Sequence, residues 1–114
     1  MSKARIAIVG GCAAGKSSLA QALRARGIDA WAVAQEHSAV ADLWRHQHPD
    51  HLVVLLASLE TVRRRRQDPG WPRWIWEMQQ ARMANAREHA DIIIETDALS
   101  KCEIELHVVD TLRL

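Results

Sequence analysis

The sequence predicts an α/β fold in which a small, mostly parallel sheet of four strands lies between two layers of helices. Short apolar runs alternate along the chain with longer segments of helical periodicity. This alternation is typical of parallel strands joined by right-handed crossovers. The run "HLVVLLAS" is apolar at consecutive positions, which favours a central strand covered on both faces. The strands are predicted over residues 5–10, 29–35, 51–58 and 91–96.

Helices with recognisable ends are predicted after the first two strands. Leu19 and Leu23 lie four residues apart in a helix predicted over 16–26, and Gly27 follows where a C-terminal cap belongs. Ser38 is expected to cap a second helix that ends near His46.

The second half of the chain contains further helix starts and one clear turn. Ser58 is expected to cap a short helix that ends near Arg66. The turn "QDPGWP" then precedes a long helix over 73–89, because proline suits turns and first helical positions, and glycine permits positive φ. Ser100 and Glu103 have the spacing of a capping box for the last helix.

Length and composition favour one globular domain over residues 1–114. The chain has 15 basic and 14 acidic residues, a net charge of +1, which excludes a protein that binds nucleic acid through its overall charge. Two cysteines do not make a disulfide framework. The N-terminal apolar run is too short for a signal peptide, and no run approaches the ~20 residues of a membrane span. We therefore expect a cytoplasmic protein with no membrane association.

The segment "IVGGCAAGKSS", residues 8–18, contains the phosphate-loop spacing G-x-x-x-x-G-K-[ST] between a predicted strand and a predicted helix. Glycines let the backbone wrap around a phosphate. The N–H groups of the loop and the N-terminus of the helix stabilise the negative charge of that phosphate. Lys16 is expected to reach the β- and γ-phosphates, and the Ser17 hydroxyl to bind Mg²⁺. A chance glycine turn would not require lysine and then serine here. The predicted nucleotide contacts are Gly10, Gly11, Cys12, Ala13, Ala14, Gly15, Lys16, Ser17 and Ser18.

An arginine run next to clustered tryptophans, "TVRRRRQDPGWPRWIWE", allows three interpretations. It is a solvated cationic face that suits a helix C-terminus, a surface on which nucleic-acid bases stack, or a hinged lid whose arginines close over phosphates. We favour the lid, over about 63–75, above the solvated face, and the solvated face above nucleic-acid binding.

The succession of these segments resembles the small-molecule kinase branch of phosphate-loop NTPases, such as shikimate, adenylylsulfate and nucleoside monophosphate kinases. The resemblance covers most of the chain, but the phosphate loop is its one specific motif. It implies ATP or another nucleoside triphosphate with Mg²⁺. It implies further that one or two arginines of the run 63–66, together with Arg73, face the phosphates, and we take Arg63 and Arg66 as the candidates, with Arg66 catalytic. It also implies that "TDALS", residues 96–100, lies beside the nucleotide base.

The chain departs from this family where the Walker B aspartate is expected. The family's extra strand, which carries that acid, has no counterpart between residues 35 and 51. Without that strand, the family's sheet order becomes 2-1-3-4 in the numbering of this chain. Glu95 and Asp97 follow a strand as a Walker B acid would, but by chain order that strand matches the family's last one. Open α/β sheets bind ligands at the carboxyl ends of strands, so Glu36 is the candidate base or acceptor ligand, with His37 second.

Two functions remain open from the sequence. The first is Mg²⁺-dependent phosphoryl transfer to a small molecule, or hydrolysis of the triphosphate, with Lys16, Glu36 and Arg66 as catalytic residues. The alternative is a nucleotide-binding or regulatory module without Walker B chemistry. Because the missing strand removes part of the usual acceptor region, we expect a shallow acceptor pocket or one completed by a second subunit in a homodimer.

Overall fold

Four parallel strands form one sheet in the computed structural model, which describes residues 4–114. The order across the sheet is β2-β1-β3-β4, and every pairing is parallel. The predicted α/β class, strand number and order 2-1-3-4 are therefore confirmed. The strands are β1 (Arg5–Gly10), β2 (Asp29–Ala32), β3 (His51–Leu56) and β4 (Ile92–Glu95).

Within the described residues, five helices and two 3₁₀ turns accompany the strands. Between residues 4 and 114, no helix combines the length and apolar character needed to cross a bilayer. The helices are α1 (Lys16–Ala25), α2 (Leu59–Arg66), α3 (Arg73–Arg82), α4 (Ala84–His89) and α5 (Lys101–Leu112). The first 3₁₀ turn is Gln35–His37 and the second is Leu43–Arg45.

Successive side chains of a strand point to opposite faces of the sheet. The strands therefore contribute residues to two separate cores, one on each face of the sheet. On one face, Ile6 and Ile8 pack with buried residues of α1, α2 and α5. On the other, Ala7 and Val9 pack with Trp44, Met83 and residues around them. The sheet therefore lies between two covering layers, and the carboxyl ends of its strands share one edge.

The predicted helix over 38–46 was wrong. This segment instead contains irregular backbone and the second 3₁₀ turn. The buried side chain of Gln35 explains the difference: its Nε2 donates to the Val40 carbonyl at 2.7 Å and its Oε1 accepts from the Trp44 N–H at 3.1 Å. These contacts occupy backbone groups that a helix would pair internally, and Val40, expected on the apolar side, is 46% exposed.

The long helix predicted over 73–89 is divided at Met83 into α3 and α4, and Gln35 contacts the helix at this division. Gln35 Nε2 also donates to the Arg82 carbonyl at 3.2 Å. Kinks arise where a side chain enters the hydrogen-bond ladder of a helix. Strand β2 is also shorter than predicted, ending at Ala32, because the chain turns inward towards Gln35.

Other predicted helix ends are confirmed. Gly27 adopts a φ of 83° directly after the end of α1, a conformation that glycine allows at low cost. Ser58 accepts from the Thr61 N–H at the start of α2. Ser100 accepts from the Glu103 N–H at 3.1 Å while the Glu103 carboxylate accepts from the Ser100 N–H at 2.9 Å, which completes the capping box of α5.

Loss of this box should destabilise the protein. Ser100→Ala removes the hydroxyl oxygen that accepts from the Glu103 N–H. We expect a loss of about 1 kcal/mol in the free energy of unfolding at pH 7. Urea denaturation measures it. Thr111→Ala, which removes an exposed hydroxyl near the other end of α5, is the matched control and should change stability by less than about 0.5 kcal/mol.

The effect should also depend on pH. Hydrogen bonds from the backbone and side chain of Ser100 lower the pKa of Glu103 below its ordinary 4.5. A carboxyl group whose pKa is lower in the folded state stabilises the protein above its unfolded-state pKa, and this contribution disappears as the pH falls through the folded-state pKa. Ser100→Ala keeps the backbone N–H and removes only the hydroxyl's share of this pKa shift, so the stability difference between wild type and variant should shrink in acid without vanishing. A constant difference would show that the hydroxyl does not act on the Glu103 carboxylate.

Candidate functional site

Residues 10–17, here called the glycine-rich loop, join the carboxyl end of β1 to the start of α1. Gly10 lies against the neighbouring strand, where a Cβ would approach the Leu55 carbonyl oxygen to 3.0 Å. Gly15 has a φ of 102° immediately before the helix, a conformation that side chains disfavour. The two glycines therefore satisfy different requirements: Gly10 allows close packing and Gly15 allows the turn into α1.

Lys16 folds back over this loop. Its Nζ donates to the Gly10 carbonyl at 3.0 Å and forms an ion pair with Oε2 of Glu36. The lysine side chain is only 13% exposed. Burial lowers the pKa of Lys16 to about 8, and the nearby Cys12 sulfur acts in the opposite direction. The ammonium is thus held at the start of the loop in an environment that water reaches poorly.

Glu36, which the sequence suggested as a base or acceptor ligand, reaches the loop from the first 3₁₀ turn. Its side chain is 4% exposed, and within residues 4–114 its Oε1 has no hydrogen-bond partner. Arg82 donates to its backbone carbonyl at 3.3 Å, which joins this turn to α3. The His37 ring lies farther out, with Nε2 3.9 Å from Glu36 Oε2.

A cavity of about 480 Å³ opens between the glycine-rich loop and the end of β2. Lys16, Ser17 and Ser18 line one side of it, while Val33, Glu36 and His37 line the other. The predicted acid therefore shares a cavity with the predicted phosphate-binding and magnesium-binding side chains. We call this space the β2-side cavity.

A second cavity, of about 560 Å³, lies on the opposite side of the same loop. Ala13, Gly15 and Ser18 line both spaces. Leu99, Ser100 and Lys101 bring the turn after β4 to this α5-side cavity. Leu99 and Ser100 of the segment 96–100 thus lie near the loop, and two cavities of similar size border it. That this segment lies beside a nucleotide base stays a prediction.

The arginine run contacts the loop through a member that the sequence did not single out. Arg65 donates to the Ala13 carbonyl at 2.9 Å and to both the hydroxyl and the carbonyl of Thr96. Arg63 instead donates to the Trp71 carbonyl at 2.9 Å, and the Arg66 guanidinium lies 5.3 Å from the centre of the Trp71 ring. In a helix, only some of four consecutive side chains can face one neighbour, and sequence alone did not specify which.

Gln79 is a second contact that sequence reasoning missed. It is buried on α3, its Oε1 accepts from the Cys12 N–H at 3.1 Å, and its Nε2 donates to the Cys12 sulfur at 3.2 Å. The available signal was a polar residue at position 79 within the apolar helical spacing of Trp76, Met83 and Ala86. A polar side chain on a buried helical stripe requires a partner.

The acidic residues after β4 have other contacts. Asp97 accepts from the Ser58 N–H at 2.9 Å and so ties the ends of β3 and β4 together. Although partial burial opposes it, hydrogen bonds from Ser58 and Thr61 and the charge of Arg65 lower the pKa of Asp97. Glu95 is exposed at the end of β4. Across the described part of the chain, no three His, Cys, Asp or Glu side chains are grouped as metal ligands.

Comparison with known proteins adds no assignment: no protein-family model matches the chain, and no curated protein is significantly similar to it.

The buried ion pair should dominate the local energetics. Lys16→Met leaves the Glu36 carboxylate buried without a counter-charge, and we expect a loss of about 3 kcal/mol in the free energy of unfolding. Replacing both partners, Lys16→Met with Glu36→Gln, removes the charges together and should recover at least half of that loss. Urea denaturation of both single variants and the double variant gives the coupling energy.

The control is an ion pair on the surface. Asp29→Asn breaks the exposed pair between Arg5 and Asp29 and should cost less than about 1 kcal/mol. If Lys16→Met costs no more than Asp29→Asn, or if the double variant is no more stable than Lys16→Met, the two buried charges do not depend on each other.

Proposed function

We propose that this protein binds a nucleoside triphosphate, ATP in the first instance, on the glycine-rich loop, and that with Mg²⁺ it transfers the terminal phosphoryl group to a small molecule or to water. The observation that carries the proposal is the meeting of Lys16 and Glu36 beside the β2-side cavity. This arrangement brings a cation suited to phosphates next to a buried carboxylate. The G-x-x-x-x-G-K-S spacing between strand and helix supports the same assignment.

The donors around Lys16 suit a polyphosphate. The start of α1 offers backbone N–H groups that lack intrahelical partners, together with the positive end of the helix dipole. The Lys16 ammonium adds a full charge at the start of the loop. A phosphate bound there would exchange its hydration shell for fixed donors, which is how phosphoryl-transfer sites stabilise charge.

The residues of the β2-side cavity also fit Mg²⁺. The Ser17 hydroxyl and the Glu36 carboxylate are hard oxygen donors in the same cavity, and Glu36 Oε1 has an unused acceptor site among the described residues. Bound with the nucleotide, Mg²⁺ would neutralise charge on the phosphates. Ser17 and Glu36 would hold it directly or through its water ligands.

Glu36 has a second role in the proposal. Binding of phosphates by Lys16 would weaken its ion pair with Glu36 and leave the carboxylate free to accept a hydrogen bond from an acceptor hydroxyl or from water. A carboxylate in this position takes up the proton that the nucleophile loses. Phosphoryl transfer then breaks the terminal P–O bond and forms one bond to the acceptor oxygen, with the nucleoside diphosphate as leaving group.

The two cavities suggest how the substrates are arranged. We assign the β2-side cavity to the terminal phosphate and the acceptor, because it contains Lys16 and Glu36. We assign the α5-side cavity to the nucleoside, bordered by Arg65 and Leu99. The phosphate-facing role of Arg63 and Arg66 would require them to exchange their contacts with Trp71 for contacts with the nucleotide.

Nucleotide binding is the first test. Calorimetric titration of ATP and GTP with Mg²⁺ should show binding by the wild type and a loss of at least roughly tenfold in the double variant Lys16→Met/Glu36→Gln, which lacks the ammonium without leaving an unpaired carboxylate. Because phosphates favour the charged form of Lys16, whose pKa is about 8, binding should also weaken as the pH rises above 8. No binding at millimolar nucleotide, or equal binding by both proteins, contradicts the proposal.

The alternative is a nucleotide-binding module that catalyses no reaction. It is favoured by one observation: β3, the neighbour of β1, is followed by Ala57 and Ser58 with no acid, while Asp97 is engaged by the Ser58 N–H. In this alternative, Glu36 only pairs Lys16 until a nucleotide binds.

Glu36→Gln separates the two functions. In an enzyme, the variant should bind nucleotide without Mg²⁺ no more weakly than wild type, because Lys16 is freed from its ion pair. It should lose roughly 10²–10⁴-fold in turnover, because a general base is removed. Phosphate release and acceptor phosphorylation measure turnover. Glu95→Gln, at the exposed end of β4, is the matched control and should retain full activity. A wild type that binds ATP and has no turnover over a broad acceptor panel supports the module.

A further inference from the structure

We infer that Gln79 is a positioning residue that holds the start of the glycine-rich loop for the terminal phosphate, so that it governs preference for a triphosphate over a diphosphate. The inference rests on the proposed function and extends it to a residue outside the phosphate-loop motif.

The first observation is that both polar atoms of the Gln79 amide bond to one loop residue. It is 2% exposed. Its Oε1 accepts from the Cys12 N–H at 3.1 Å, and its Nε2 donates to the Cys12 sulfur at 3.2 Å. A Cβ on Gly11 would lie 3.3 Å from the same Oε1, so the glutamine packs against two consecutive loop residues. Two directed bonds from one planar amide fix the position of the Cys12 peptide.

The second observation is which part of the loop is held. Lys16 Nζ bonds to the Gly10 carbonyl, and the Cys12 sulfur is near enough to act on the Lys16 charge. In phosphate loops the lysine serves the β- and γ-phosphates. Cys12 lines the β2-side cavity together with Lys16, so it lies on the side of the site that the proposed function assigns to the terminal phosphate.

The third observation is that the same helix reaches Glu36. Arg82, three residues after Gln79 and one turn along α3, donates to the Glu36 carbonyl at 3.3 Å and accepts from the buried Gln35 amide at 3.2 Å. Residues on one helix face keep a fixed separation. Helix α3 thus sets the spacing between the loop start and the first 3₁₀ turn, the two parts that must face each other across the terminal phosphate.

The test compares two substitutions on adjacent residues of α3. Gln79→Met keeps the length of the side chain but cannot accept from the Cys12 N–H. Gln80→Met makes the same chemical change at a residue that lines a separate cavity at the ends of β3 and β4. The Gln80 Nε2 would lie 4.0 Å from a Cβ on Gly11, so Gln80 is close to the loop but is not hydrogen-bonded to Cys12. Affinities for ADP and for a non-hydrolysable ATP analogue, each with Mg²⁺, are measured by calorimetry on the full chain. The Cys12 amide resonance reports directly on its hydrogen bond.

We expect Gln79→Met to lose at least roughly tenfold in affinity for the ATP analogue and less than roughly threefold in affinity for ADP. Its Cys12 amide resonance should also shift. Gln80→Met should match wild type in both affinities and in this resonance. Should Gln79→Met not fold, Gln79→Asn keeps a polar amide but is one methylene shorter, so its oxygen cannot reach the Cys12 N–H in the same geometry. It should show the same selective loss.

The outcomes separate this inference from the proposed function. If the wild type binds the ATP analogue and the Gln79 variants lose equally for both nucleotides or not at all, Gln79 only supports the fold and the inference is overturned. If the wild type binds neither nucleotide, the proposed function fails and the inference fails with it.

Discussion

The buried ion pair between Lys16 and Glu36 is the interaction on which the arrangement of the site depends. Removing two charges from water costs several kcal/mol for each ion, so both side chains must meet closely for the fold to tolerate them. Lys16 belongs to the connection from β1 to α1, and Glu36 follows β2. Their pairing joins these two connections across the β2-side cavity. A polyphosphate that attracts Lys16 would therefore also change the surroundings of Glu36.

Two buried glutamines provide the frame around this pair. Gln35 bonds backbone groups of the segment after the first 3₁₀ turn and the carbonyl of Arg82, and Gln79 bonds Cys12. A buried amide is tolerated only where its donors and acceptors are paired, so each glutamine specifies one arrangement of the elements it joins. Helix α3 contributes to both sets of contacts and so links the first 3₁₀ turn to the glycine-rich loop.

The arginine run shows how one segment serves two structural tasks. Arg63 and Arg66 hold Trp71 and thereby the turn between α2 and α3, while Arg65 joins the glycine-rich loop to Thr96 after β4. Four consecutive cations point in different directions around a helix, so their charges are distributed over several neighbours. Through these contacts, the segment over 63–75 is joined to both the α5-side cavity and the core.

Much of the fold followed from the sequence because local physics determines it. Apolar runs produced the four strands, the chain order produced a parallel sheet, and Ser58, Ser100 and Gly27 marked helix ends through hydrogen bonds and backbone angles within a few residues. The glycine-rich loop was recognisable for the same reason, since its spacing is local. Glu36 was selected as a candidate because ligands in open α/β sheets lie at strand ends, and the structure places it beside Lys16.

What only the tertiary structure decided involves partners distant in the chain. The segment 38–46 has helical periodicity, yet Gln35 takes its backbone groups and joins them to Arg82, so long-range hydrogen bonds override the local preference. The choice of Arg65 over Arg63 and Arg66, and the contact of Gln79 with Cys12, depend on how helices pack against the loop. Sequence by itself thus determined the four strands, several helix ends and the phosphate-loop spacing, but not the 38–46 segment or the division of the helix over 73–89. Packing decided which side chains reach that motif, because their directions are set by contacts between residues up to 67 positions apart.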